Sequence, residues 1–144
     1  MRQIARARRD VVAARAEYER ARALEPGDFD VRMNLSSVYR DAGEVARAIA
    51  EVEAALALRP GDADAHNQRG MLLGGAGRFG DAAAAFERAS RLAPGNPQFW
   101  FNLGLARYRA GDRTASAEAL RRALAIKPDF GEARALLAEV EKEP

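Results

Sequence analysis

In PQFWFNLGLARYRAG, residues 97–111, apolar side chains stand at Phe99, Leu103, Ala106 and Ala110. Intervals of three and four place them on one face of a helix with 3.6 residues per turn. Gly111 is suited to end that helix and Asp112 to cap the next, DRTASAEALRRALAIK, which Pro128 cannot continue because it lacks an N–H. The pattern predicts two amphipathic helices joined by a glycine hinge and closed by a proline turn.

The same unit recurs. RDAGEVARAIAEVEAAL (40–56), GGAGRFGDAAAAFERAS (74–90) and YRAGDRTASAEALRRAL (108–124) start 34 residues apart, and Gly43, Gly77 and Gly111 keep that interval. So do Pro26, Pro60, Pro94 and Pro128. Asp28, Asp62 and Asn96 then fall where each new helix pair needs an N-cap, and Pro97 falls at a first helical position, where its missing N–H costs nothing. A fixed period of this length marks stacked helical repeats.

Within GMLLGGAGRFG, Gly75, Gly77 and Gly80 also spell G-x-G-x-x-G. A dinucleotide site would need a strand before these glycines and a ribose-binding acid about 20 residues after them. Upstream, DADAHNQRGMLL has no alternating β-branched run, and the downstream NPQFWFNLG has no acid. Gly77 is a hinge shared by every repeat, so only Gly75 and Gly80 are peculiar to this copy.

The small and bulky positions of the second helices complete the pattern. Ala14, Ala48, Ala82 and Ser116 are small, Tyr18, Val52, Phe86 and Leu120 bulky, and Ala21, Ala55, Ala89 and Ala123 small again. Leu24, Leu58, Leu92 and Ile126 precede the prolines, while Ser36, Gly70 and Gly104 make the first helices small where the pair must approach. With FWFNLGLARYRAGD, these residues resemble the tetratricopeptide repeat (TPR) family over nearly the whole chain. The resemblance implies an all-α fold, a right-handed α-solenoid of antiparallel helix pairs. Whole repeats are expected at 29–62, 63–96 and 97–130. A partial repeat is expected at 1–28, where Arg9 replaces the hinge glycine and one long helix results, and a capping helix at 131–144, all within one domain. Entry halfway through a repeat suggests excision from a longer parent.

Composition narrows the chemistry. The chain has 144 residues, 48% apolar and 31% charged, and no cysteine, which excludes disulfides and thiolate catalysis. His66 is the sole histidine, so no paired-His metal site exists; it occupies the large packing position that Trp100 fills later. Glu139, Glu141 and Glu143 read as a solvated face. No catalytic site, cofactor or metal is expected. No apolar run approaches the roughly 18 residues of a membrane span, and no signal peptide is visible, so the default location is cytoplasmic. Net charge is only +2, and the excess of Arg over Lys beside abundant Ala fits a GC-rich, bacterial genome better than a nucleic-acid surface.

What remains is binding. In TPR stacks the first helices line a groove, and the resemblance turns three sets of side chains inward. They are Asp30, Met33, Asn34, Ser37, Arg40 and Asp41; then Asp64, Asn67, Gln68, Met71, Gly74 and Gly75; then Gln98, Phe101, Asn102, Leu105, Tyr108 and Arg109. Asn34, Gln68 and Asn102 form a row whose amides can either meet the backbone of an extended peptide or serve local helix packing. Gly74 and Gly75 stand in rows otherwise filled by Arg40 and Tyr108 or by Asp41 and Arg109. Beside Met71, Phe101, Leu105 and Tyr108 they should leave an apolar hollow, unless they merely loosen a helix end. The set for clamping a terminal carboxylate is not matched, since Met33, Ser37, Gln68, Gln98 and Asn102 occupy its places.

The expected function is a non-catalytic protein-interaction module that takes a protein or peptide segment in its groove. The alternative is a structural or oligomerisation scaffold attached to a catalytic domain in a longer parent. Nucleic-acid binding by the Arg-rich first helix is disfavoured because the inward row Asp30, Asp64, Gln98, Glu132 is acidic and base-stacking aromatics are absent from the basic stretch. Residues 1–22 carry seven arginines against three acids, and 129–143 five acids against two bases, so weak head-to-tail self-association is a further expectation. In it, Ile4, Val11 and Tyr18 would supply an apolar end face.

Overall fold

A computed structural model describes residues 2–142, with side chains from Asp10 onward. Its described residues form eight helices and no strand: α1 (Arg2–Leu24), α2 (Phe29–Asp41), α3 (Val45–Leu58), α4 (Ala63–Gly75), α5 (Phe79–Leu92), α6 (Pro97–Arg109), α7 (Arg113–Ile126) and α8 (Gly131–Glu141). The chain divides between Pro60 and Gly61 into two compact units.

The punctuation read from the sequence makes these helices. Side chains of Asp28, Asp62, Asn96 and Asp112 accept hydrogen bonds from the first-turn N–H groups of Val31, Ala65, Gln98 and Ala115, at 2.9–3.2 Å. Gly43, Gly77 and Gly111 adopt φ of +77°, +78° and +89°, a region that side-chain-bearing residues rarely enter. They end α2, α4 and α6.

In the first unit α2 and α3 form a helical hairpin, and α1 packs on α2. Leu35, Ser36 and Tyr39 of α2 meet Ala48, Val52 and Ala55 of α3 in a small core. Ser36 is fully buried, and its hydroxyl donates to the carbonyl of Ala48 at 2.8 Å, which satisfies it while holding the helices close. Glu51 is only 6% exposed and accepts from Arg22 of α1 and, at 3.0 Å, from Arg32 of α2. A buried carboxylate thus ties three helices together. Beside it, Arg15 pairs with Glu19 and Glu44, each at 2.8 Å, and lies over the Tyr39 ring. On α1, Val11 and Val12 are exposed and Tyr18 is half-buried. The side chain of Ile4, those of the arginines before Asp10, and Glu143 lie outside the described residues.

The second unit stacks the hairpins α4–α5 and α6–α7 with α8 on α7. Its core runs through Leu72, Leu73, Phe86, Phe99, Leu103, Leu120, Phe130 and Val140. Here the small contact is reversed: the hydroxyl of Ser116 on α7 donates to the carbonyl of Gly104 on α6 at 2.7 Å.

One connection repeats in both units. Six residues after the proline, a side-chain N–H reaches back to that proline's carbonyl: Arg32 to Pro26 at 3.1 Å, Trp100 to Pro94 at 2.8 Å, and Arg134 to Pro128 at 2.5 Å. Guanidinium and indole are both planar groups with an N–H at this reach, and either makes the contact.

Candidate functional site

The first helices of the second unit are neighbours, with α6 touching both α4 and α8 as well as its partners α5 and α7. Where α4, α5 and α6 meet, a hollow of about 330 Å³ opens to solvent. Gly70, Met71, Gly74 and Gly75 line it from α4, Phe79 and Phe86 from α5, and Asn102, Leu105, Ala106 and Arg109 from α6. That volume is near the lower end of ligand pockets, which span about 300–1,000 Å³.

The glycines of α4 differ in what requires them. A Cβ on Gly70 would stand 2.7 Å from two atoms of the Phe86 ring, so close packing demands glycine there. A Cβ on Gly74 would meet only the Ala82 Cβ, at 3.8 Å, and one on Gly75 would meet nothing within 4 Å. Neither has positive φ. Both are helical, at a cost of up to about 1 kcal/mol each relative to alanine. Neither backbone conformation nor packing asks for them, and their absent side chains form part of the hollow.

The polar rim is already connected. Gln98 Nε2 donates to Asn102 Oδ1 at 3.0 Å, Asn102 Nδ2 donates to Asn67 Oδ1 at 2.9 Å, and Asn67 Nδ2 approaches the Met71 sulfur at 3.6 Å. Asn102 is half-buried and bridges α6 to α4, so the local-packing role open in the sequence is present in the structure. Arg109 closes the other end of the rim. It is exposed, and its guanidinium lies 5.8 Å from the centre of the Phe79 ring.

Of the residues expected in a groove, Met71, Gly74, Gly75, Asn102, Leu105 and Arg109 line this hollow. Phe101 does not: it is buried, with its ring 5.1 Å from that of Phe130. Tyr108 is half-buried under the Arg113 guanidinium, also outside the lining. Asn34 and Arg40 belong to α2 in the first unit, where both are exposed and Arg40 pairs with Asp41 at 3.3 Å. Gln68 is half-buried on α4. The aromatic floor of Phe79 and Phe86 was not anticipated. The available signal was Gly70, since a missing side chain opposite the bulky position lets that ring pack directly against α4.

Among the described residues no cluster of His, Asp and Glu could hold a metal ion, and no helix is long and apolar enough to cross a membrane. The Arg107 guanidinium donates to the Ala115 carbonyl at 3.1 Å.

Two family models described as tetratricopeptide repeat match the chain, over residues 5–72 and 67–130. Among solved structures, the chain superposes on MamA with a TM-score of 0.87 at 23% identity, covering 94% of this chain and 79% of that one. YrrB, described as a TPR protein with an unusual peptide-binding site, gives 0.80 at 23% identity over 90% and 67%. The first TPR domain of Spaghetti (RPAP3), solved with the HSP90 peptide SRMEEVD, gives 0.74 at 18% identity over 78% and 89%. No curated protein sequence matches.

Proposed function

Because the chain belongs to the tetratricopeptide repeat family and has its all-α helical-repeat solenoid fold, we propose that it is a non-catalytic protein-interaction module whose α4–α5–α6 hollow receives a side chain from an extended partner segment. The observation that carries this reading is the pair Gly74 and Gly75. Two helical glycines that the fold does not need remain where their side chains would fill an apolar concavity. The peptide-bound and peptide-binding relatives support the class of partner. The amides of Gln68 and Asn102 belong to the same proposal as a source of contacts to peptide backbone, and Asn34 is proposed for that role separately, within the first unit. The bonds to Gln98 and Asn67 take one acceptor site and one N–H of Asn102, about half of what an amide offers.

Selection of a displayed random-peptide library on the whole chain tests this. Selected peptides should share a bulky apolar residue, and Gly74→Leu should reduce their affinity about tenfold or more while leaving the Tm at or above that of the wild type. Selected peptides that bind Gly74→Leu as well as wild type would remove the hollow from the binding surface.

A further inference from the structure

We infer that the partner segment carries a side-chain carboxylate two residues from the apolar residue seated in the hollow, and that Arg109 is the residue that selects for it. The inference rests on the reading of the hollow given above and adds the chemistry of its neighbour.

Among the described residues, Arg109 is the only charged one lining the hollow. Three other arginines of this unit are paired with carboxylates: Arg78 with Asp81 at 2.8 Å, Arg91 with Glu87 at 2.7 Å, and Arg121 with Glu141 at 2.8 Å. Among the described residues no carboxylate pairs with Arg109, which instead rests over the Phe79 ring. Contact with an aromatic face steadies a guanidinium without neutralising it or using its N–H donors. The result is an oriented, exposed cation at the edge of an apolar cavity, with its fork available to a carboxylate.

Spacing sets the register. Asn102, Leu105 and Arg109 follow one another by three and four residues, and so share one face of α6. From Leu105, in the wall, to Arg109, on the rim, is four residues, a rise of about 6 Å. In an extended peptide, side chains on the same side are two residues apart, about 6.6 Å. For a segment laid along α6, an apolar residue placed against Leu105 therefore brings the residue two positions away to Arg109, while the residue between them points outward. Asn102, one turn beyond Leu105 in the other direction, is placed to meet backbone. The occupant is thus an extended segment with an apolar residue and an Asp or Glu at i and i+2, the charge complement of this rim.

Acetylated, amidated peptides based on the selected sequences provide the test, because blocked ends remove any terminal carboxylate. Four versions are compared: Leu and Glu two apart, Leu and Gln two apart, Leu and Glu adjacent, and Ser in place of Leu. Affinity is measured by fluorescence anisotropy on wild type and Arg109→Gln. The i, i+2 Glu peptide should bind wild type about two- to fivefold tighter than its Gln counterpart, the range of an exposed ion pair. Arg109→Gln should erase that difference and leave the Gln peptide unaffected, and added salt should shrink it. A free C-terminus on the Gln peptide should not replace the internal Glu.

Equal affinity for the Glu and Gln peptides, with Leu still required, overturns the role of Arg109 and leaves the hollow standing. Indifference to Leu→Ser overturns the hollow itself. Preference for the free C-terminus over internal Glu also defeats the inference. So does a dimer in sedimentation that Gly74→Leu abolishes, since a second copy would then be the occupant.

Discussion

Replacing Gly74 and Gly104 by alanine, one at a time, should change stability in opposite directions. In both positions alanine gains helix propensity, up to about 1 kcal/mol and closer to half of that for Gly74 in the last turn of α4. At Gly74 the added methyl meets only the Ala82 Cβ at 3.8 Å, an ordinary contact, so the gain survives. At Gly104 the same methyl would stand 2.8 Å from both Cγ and Cδ2 of Leu120 and 3.3 Å from the backbone carbonyl of Ser116. Leu120 and Ser116 are fully buried, and the Ser116 hydroxyl holds the Gly104 carbonyl at 2.7 Å, so neither side can withdraw. Overpacking of this kind costs about 1–3 kcal/mol. After the propensity gain, Gly104→Ala should lose roughly 1–2 kcal/mol, and Gly74→Ala should gain about 0.5. For a chain of this size each kcal/mol moves Tm by about 2–4 °C. Thermal melts followed by circular dichroism at 222 nm, with urea titrations to check that the m-value is constant, would measure both. A Gly104→Ala protein as stable as wild type, or a Gly74→Ala protein clearly less stable, would refute the division between glycines the fold requires and glycines it does not.

Glu51→Ala should destabilise the chain by about 2–3 kcal/mol in urea denaturation, because it strands Arg22 and Arg32; the cost stays moderate since both guanidinium groups still reach solvent. The Arg15 guanidinium, with help from the Tyr39 hydroxyl, holds the Glu19 carboxyl below its ordinary range against the opposing effect of burial. A depressed native pKa stabilises above the ordinary carboxylate pKa, about 4.3, and that contribution disappears as pH falls through the native value. Stability should therefore decline on acidification from about pH 5, and Glu19→Gln should flatten part of the decline; an unchanged pH slope in that variant would contradict the pairing.

The sequence by itself determined the helices, their ends and their repetition. Each is a local matter: a proline without an N–H, a glycine at positive φ, and an aspartate beside three orphan N–H groups act on residues a few positions away, and a period of 34 multiplies them. It also located Gly74 and Gly75 as anomalies, because an empty place is visible against rows that are otherwise filled. Which side chains surround that emptiness was a tertiary decision. Phe101 stands on the row that the repeat pattern turns inward, yet its ring is buried against Phe130, 29 positions away, where more apolar surface is removed from water. Phe86 enters the lining from a core position, its ring packed against Gly70, where no side chain stands between it and the hollow. Asn102 has the same identity in either of its roles, and only the approach of α6 to α4 brings Asn67 to 2.9 Å and makes it a bridge. Arg109 likewise reads as one surface cation among many until the fold places it over Phe79, with no carboxylate paired to it among the described residues. Capping and hinge chemistry is written within a few residues, whereas the walls and charge of a cavity depend on distances between helices that no single helix specifies.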